Sequence, residues 1–210
     1  MNVRIFILST TSFCLLLMCL VLYPSNGYSV ENFRIQKVTP DKLSIGETLL
    51  RKLNSAQTGI TFKNVLFDET HTRNQITLNG SGVAAGDFNN DGLCDLYFCG
   101  LDVDNKLYQN LGNLRFKDVT EEAGVACSGR YSTGAAFIDI NGDFFPELIV
   151  KSIGMGTLIF FNNQDGKFED VTKGNGFNKG TAGMSIAAAD MNNDQFLDIY
   201  ITNYRLNALM

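Results

Sequence analysis

One acidic stretch of nine residues is written three times in this chain, and no other feature so narrows what the chain can fold into. The copies are Asp87-Phe88-Asn89-Asn90-Asp91-Gly92-Leu93-Cys94-Asp95, residues 139–147 and residues 190–198. Their first residues lie 139 − 87 = 52 and 190 − 139 = 51 positions apart. A fixed period near 50 residues marks an array of one supersecondary unit, because each unit buries its apolar face only against its neighbours.

The rest of the unit repeats with the loop. Each copy opens with a small-residue strand, over 82–86, 134–138 and 183–189, suited to a crowded axis. After the acidic loop come Leu96-Tyr97-Phe98, Leu148-Ile149-Val150 and Ile199-Tyr200-Ile201. These runs are apolar on both faces and read as strands covered on both sides. Third strands follow over 106–112 and 156–163. Turns of Gly, Asn and Asp then lead to Phe116-Lys117-Asp118-Val119-Thr120 and Phe168-Glu169-Asp170-Val171-Thr172.

Four strands per period is a propeller blade. The expected fold is therefore all-β: a partial β-propeller of four-stranded blades with calcium loops, after an N-terminal signal segment. Blades fall over 82–120 and 134–172, with an incomplete one over 183–210. Phe62-Lys63-Asn64-Val65 echoes the fourth-strand pattern at an offset of 116 − 62 = 54, so residues 60–66 read as an outer closing strand that completes a last blade. Propellers have about four to eight blades, so the chain reads as a fragment of a longer one.

Residues 1–27 carry one cation, Arg4, a long apolar stretch, and small residues at Ser25 and Gly27, the pattern of an export signal, with an uncleaved membrane anchor as the alternative. Residues 28–58 read as a linker. It holds a short helix over 41–53, where Pro40 marks the start and Leu43, Leu49, Leu50 and Leu53 recur at helical spacing. Without residues 1–27 the net charge is −5 − 1 = −6, and no basic run remains to neutralise phosphates, which excludes nucleic acid as a partner. Cys94, Cys99 and Cys127 read as small buried hydrophobes in strands, one bridge plus a free thiol being the alternative. His71, the one histidine, reads as a surface or turn residue.

Calcium takes about 6 to 8 oxygen ligands, and a tight loop with oxygens at alternate positions supplies them. In the first copy these are the side chains of Asp87, Asn89, Asp91 and Asp95 and the main-chain carbonyl of Leu93, with Gly92 at the sharp sixth position. The second copy offers Asp139, Asn141, Asp143, Glu147 and the carbonyl of Phe145. There Phe144 replaces the glycine, and Gly142 falls two positions early. The third offers Asp190, Asn192, Asp194, Asp198 and the carbonyl of Phe196, and binds if Gln195 tolerates a left-handed conformation. The competing reading is an Asn/Asp-rich turn that satisfies its own backbone. Magnesium demands stricter geometry, and the soft-ligand sites that zinc prefers are absent from the sequence.

With Gly86-Asp87-Phe88-Asn89-Asn90-Asp91-Gly92, Asn105-Lys106-Leu107-Tyr108-Gln109-Asn110 and Phe168-Glu169-Asp170-Val171-Thr172 in order, residues 59–210 resemble the FG-GAP/VCBS repeat family. The pattern is most similar to secreted proteins of the ASPIC/UnbV and cartilage-acidic-protein type and is related to integrin alpha-chain propellers. The resemblance implies a β-propeller with structural calcium in the first hairpin loop of each blade. It also implies a surface for adhesion, binding an extracellular protein or glycan, in a secreted or periplasmic protein. A membrane is a partner only if the N-terminal segment stays as an anchor. The alternatives are the propeller scaffold of a polysaccharide lyase or hydrolase, or a fragment with no independent role. For a hydrolase, Asp118, Glu121 and Glu122 are the nearest carboxylates outside the loops.

Overall fold

Three antiparallel sheets follow one another along the chain in the computed structural model, which describes residues 52–67, 75–173 and 183–203. The first sheet is β1 (Val83–Gly86), β2 (Asp95–Phe98), β3 (Lys106–Asn110) and β4 (Phe116–Asp118), paired in that order. The second repeats it with β5 (Ser132–Ile138), β6 (Glu147–Ser152), β7 (Gly156–Asn162) and β8 (Phe168–Asp170). The third is the hairpin β9 (Ile186–Ala189) and β10 (Asp198–Ile201). Two single-turn helices, α1 (Ser55–Thr58) and α2 (Thr120–Ala123), and a 3-10 turn (Gln75–Asn79) complete the described elements. No helix among the described residues is long and apolar enough to cross a membrane. The signal segment, the linker helix except its last two residues, and His71 lie outside the described residues.

The registers of the two full sheets are equivalent. Gly86 pairs with Asp95 as Ile138 pairs with Glu147, and Tyr108 pairs with Asp118 as Phe160 pairs with Asp170. Small residues on the inner strands are required by close approach. A β-carbon added to Gly82 would lie 2.9 Å from the Cα of Gly134, one on Gly86 would lie 2.9 Å from the Cβ of Phe137, and one on Gly134 would lie 2.7 Å from the Met184 carbonyl oxygen. β1 and β5 therefore lie side by side and run the same way, and β9 continues the series beside β5. Each acidic loop leaves the C-terminal end of one of these strands, so all three emerge at the same end of the array.

The core lies between the first two sheets, where Tyr97, Leu107 and Val119 pack with Leu148, Val150, Leu158 and Phe160. Leu148, Ile149 and Val150 are all buried, whereas of Leu96, Tyr97 and Phe98 only Tyr97 is, and Tyr200 on β10 is 62% exposed. The double-sided burial read from the sequence thus holds for the middle sheet alone. It is the one described sheet with a neighbour on each face. Cys94, Cys99 and Cys127 are free thiols, and none lies within a strand: Cys94 precedes β2, Cys99 follows it, and Cys127 sits in a loop at φ 51°.

Residues 60–66 pair with no strand among the described residues, which do not include the last blade they were expected to complete. They follow α1, whose start is fixed by a capping box: Asn54 Oδ1 accepts from Gln57 N at 3.0 Å and Gln57 Oε1 accepts from Asn54 N at 3.1 Å. The helix ends at Gly59, left-handed at φ 81° and tucked against the carbonyl of Phe116. α2 likewise ends at a left-handed glycine, Gly124, whose nearest outside backbone atom is the carbonyl oxygen of Phe168. Phe116 and Phe168 open β4 and β8, so Gly59 stands to the first sheet as Gly124 stands to the second. The segment is a connector leading into a sheet. Its Phe62 stacks on Phe98 at 5.2 Å between ring centroids, and Thr61 N donates to Tyr108 Oη at 3.2 Å. Its apolar residues pack across the first sheet.

Gly59→Ala combines a disfavoured φ with a clash against backbone and should lower stability by about 2 kcal/mol in urea unfolding. Gly112→Ala is the control, left-handed at φ 84° but with nothing within 4 Å of its added β-carbon. Equal losses for the two would show that the Phe116 contact carries no weight.

Candidate functional site

The three acidic loops follow one backbone course. The sixth position is left-handed in each, at Gly92 (φ 84°), Phe144 (φ 71°) and Gln195 (φ 75°). So is the fourth, at Asn90 (φ 61°), Gly142 (φ 78°) and Asn193 (φ 62°). Gly142 is therefore not displaced: it fills a second left-handed position that the other loops give to asparagine, the residue that most readily shares this conformation with glycine. Phe144 and Gln195 keep the course of the first loop at a backbone cost of about 1–2 kcal/mol each.

The side chains repeat as closely. The opening aspartate accepts the same two backbone N–H groups in each loop: Asp91 and Gly92 onto Asp87 at 3.1 and 2.7 Å, Asp143 and Phe144 onto Asp139 at 3.2 and 3.0 Å, Asp194 and Gln195 onto Asp190 at 3.1 and 2.8 Å, and Asp139 accepts a third from Gly142 N at 2.8 Å. Asn89, Asn141 and Asn192 each donate Nδ2 to the fifth-position carboxylate, at 2.9, 3.1 and 2.9 Å. That carboxylate accepts the seventh N–H, from Leu93, Phe145 or Phe196, at 2.9, 2.8 and 2.9 Å. The Asn89 amide, then the Leu93 N–H, hold the Asp91 carboxyl below the usual carboxylate range, and the Phe145 N–H does the same for Asp143.

The ninth residue has a different position. Asp95 is fully buried, with Oδ2 accepting from Phe88 N at 3.1 Å and Oδ1 from Asn110 N at 2.7 Å, so it ties the start of the loop to the end of β3. Burial pushes its carboxyl up to about 6, against the pull of those two N–H donors. Glu147, one methylene longer, holds the start of its own loop, accepting from Ile140 N at 2.9 Å and from Asn141 Nδ2 at 3.2 Å, and burial raises it too. Asp198 accepts from Met191 N at 2.9 Å.

Two asparagines complete the arrangement and were not singled out by sequence reasoning. Asn110 Nδ2 donates to the Cys94 carbonyl at 2.8 Å, and Asn162 Nδ2 donates to the carbonyls of Phe88 at 2.7 Å and Pro146 at 3.2 Å, joining the first two loops. Each stands the same distance after a ninth-position acid, 110 − 95 = 162 − 147 = 15, and that shared interval was the available signal.

The structure thus brings Asp87, Asn89, Asp91 and Leu93 around one turn with Asp95 at its base. It does the same for Asp139, Asn141, Asp143, Phe145 and Glu147, and for Asp190, Asn192, Asp194, Phe196 and Asp198. In this arrangement the carboxylates face the loop's own N–H groups, and among the described residues no three His, Cys, Asp or Glu side chains converge as a metal-holding group. The donor chemistry nevertheless fits a hard cation. Every candidate is an oxygen, and a carboxylate oxygen that accepts one N–H retains a second lone pair.

Of the carboxylates named outside the loops, Asp118 and Glu122 have other partners. Asp118 accepts from Thr120 N at 3.0 Å and pairs with Lys106 at 3.1 Å, and Glu122 pairs with Lys117 at 3.2 Å. Thr120 Oγ1 in turn accepts from Leu107 N at 2.9 Å, and Thr172 Oγ1 from Ile159 N at 3.0 Å. The Asp-Val-Thr pattern is thus a lock that satisfies third-strand N–H groups where the fourth strand ends.

The FG-GAP-like repeat matches residues 87–150 and 153–201, which include all three loops. Cartilage acidic protein 1 of Xenopus tropicalis is 28% identical over 127 residues, a stretch that is 59% of this chain and 20% of that protein.

Proposed function

The chain belongs to the FG-GAP-like repeat family, and on that premise we propose that it is an exported, β-propeller-like binding module whose acidic loops hold calcium. The observation that carries the reading is the shared loop course, kept in all three copies even where Phe144 and Gln195 make it costly. A common backbone that presents oxygens at positions one, three, five, seven and nine is what a calcium loop requires. One cation would take the three carboxylates of a loop from −3 to −1. Asp87, Asn89, Asp91 and the Leu93 carbonyl would hold it in the first loop, and Asp95 would couple it to the sheet. The metal is then structural, and the module serves adhesion to an extracellular protein or glycan. The matched relative's name, that of a cartilage protein, supports an extracellular setting.

Calcium titration of the thermal midpoint tests this. With an affinity typical of extracellular modules, roughly 10⁻⁴ to 10⁻³ M, about 10 mM calcium should stabilise the fold by about 1–3 kcal/mol per site. The shift should vanish in chelator and be small in magnesium. An unchanged midpoint at that concentration would refute the reading.

A further inference from the structure

The two most exposed large apolar side chains among the described residues sit in equivalent loops. Phe144, in the second loop, is 78% exposed, and Phe196, in the third, is 74% exposed. Leu93 in the first loop is 36% exposed, and Met191 and Leu197 flank Phe196 at 62% and 44%. Because the inner strands lie side by side and run the same way, these side chains share one end of the array. Asn90 Nδ2, donating to the Phe144 carbonyl at 3.1 Å, holds the first two loops against each other. Phe144 is the notable case. The equivalent Gly92 has nothing within 4 Å of an added β-carbon, so nothing at that place in the first loop calls for a side chain. A phenylalanine held there is bulky, left-handed and solvent-facing, three properties that folding alone does not favour.

We propose that this apolar crest is a docking surface for a cationic segment of a partner protein, one that carries apolar side chains between lysines or arginines. Charge selects that occupant. The ninth-position acids Asp95 and Glu147 are buried, but Asp87, Asp91, Asp139, Asp143, Asp190 and Asp194 outnumber Arg115 and Lys167 of the neighbouring turns, and none of the three loops contains a lysine or arginine, so the crest is net negative. Such a surface repels phosphate-bearing lipids and polynucleotides and attracts a basic one, with apolar tips supplying the contact that charge steering by itself does not. The inference goes beyond the calcium reading and predicts its interplay with it. A cation held in each loop reduces the attraction by taking its charge from −3 to −1, so calcium weakens docking.

The test is fluorescence anisotropy of a labelled Lys/Leu amphipathic peptide titrated with the full chain in chelator. Binding is expected to weaken with salt and on adding calcium. The double variant Phe144→Gly, Phe196→Ser should lose roughly tenfold in affinity while keeping or raising its thermal midpoint, since glycine relieves the left-handed strain at position 144. Unchanged peptide affinity in that variant overturns the proposal. So does equal binding of a Glu/Leu peptide, capture of the chain by phosphatidylserine vesicles in place of the peptide, or a lowered midpoint for Phe144→Gly alone, which would make Phe144 a folding residue. The midpoint shift with calcium is read separately, so either idea can fail without the other.

Discussion

Asn105→Ala is expected to lower the folding free energy by about 3 kcal/mol, a large fraction of the roughly 5–15 kcal/mol that holds a domain together. Asn105 is fully buried. Its Oδ1 accepts from Gly100 N at 2.7 Å, and its Nδ2 donates to Tyr97 Oη at 2.7 Å and to Ser132 Oγ at 3.0 Å. Alanine would strand the Gly100 N–H and remove the donor to Ser132, each costing about 1–3 kcal/mol. Tyr97 loses less, because its hydroxyl still donates to the Val125 carbonyl at 2.8 Å. Asn105 stands just before β3 and Ser132 opens β5, so this one side chain helps hold the first two sheets, and with them the first two acidic loops, in register. Urea unfolding of Asn105→Ala, Ser132→Ala and the double variant checks the point. A double variant equal to the sum of the singles would show that the two residues do not act together.

The second large effect is that of Asp95→Asn, expected to cost about 2 kcal/mol in chelator, before any cation is involved. Asp95 offers one oxygen to Phe88 N and the other to Asn110 N, and asparagine replaces one of those acceptors with an amide that points its own hydrogens at an N–H. Asp87→Asn is the contrast. Asp87 also accepts two N–H groups, but in an exposed loop, where water can take the place of the lost acceptor. In chelator, therefore, the Asp95 variant should be clearly weakened and the Asp87 variant nearly unchanged, whereas both should lose the first loop's share of the calcium-dependent rise in melting temperature. Equal stability of the two in chelator would remove the buried role assigned to Asp95 and leave it as a loop carboxylate like the others.

These two residues show how legible the molecule was from its residues. Asp95 was visible as the ninth member of a repeat, and its candidacy as a metal ligand followed from that place alone. Its hold on Asn110, fifteen residues away on β3, was not, because nothing in a loop pattern says which end of which strand lies beside it. Asn105 gave no repeat signal at all: 52 residues later the chain has Thr157, whose Oγ1 accepts from Lys151 Nζ at 3.1 Å instead. Phe144 was read as a departure from the loop pattern, yet its backbone follows the same course as Gly92.

Sequence alone determined the period, the order of strands and turns, the all-β class and the place of every acidic loop, because strand alternation and turn chemistry are local and repeat with the chain. Tertiary structure decided the rest. It buried the middle sheet on both faces, packed Thr61 and Phe62 against the first sheet, and set the loops of separate sheets side by side through contacts such as Asn90 with Phe144, 54 residues apart. Those outcomes depend on which surfaces meet, and only the packed chain settles that.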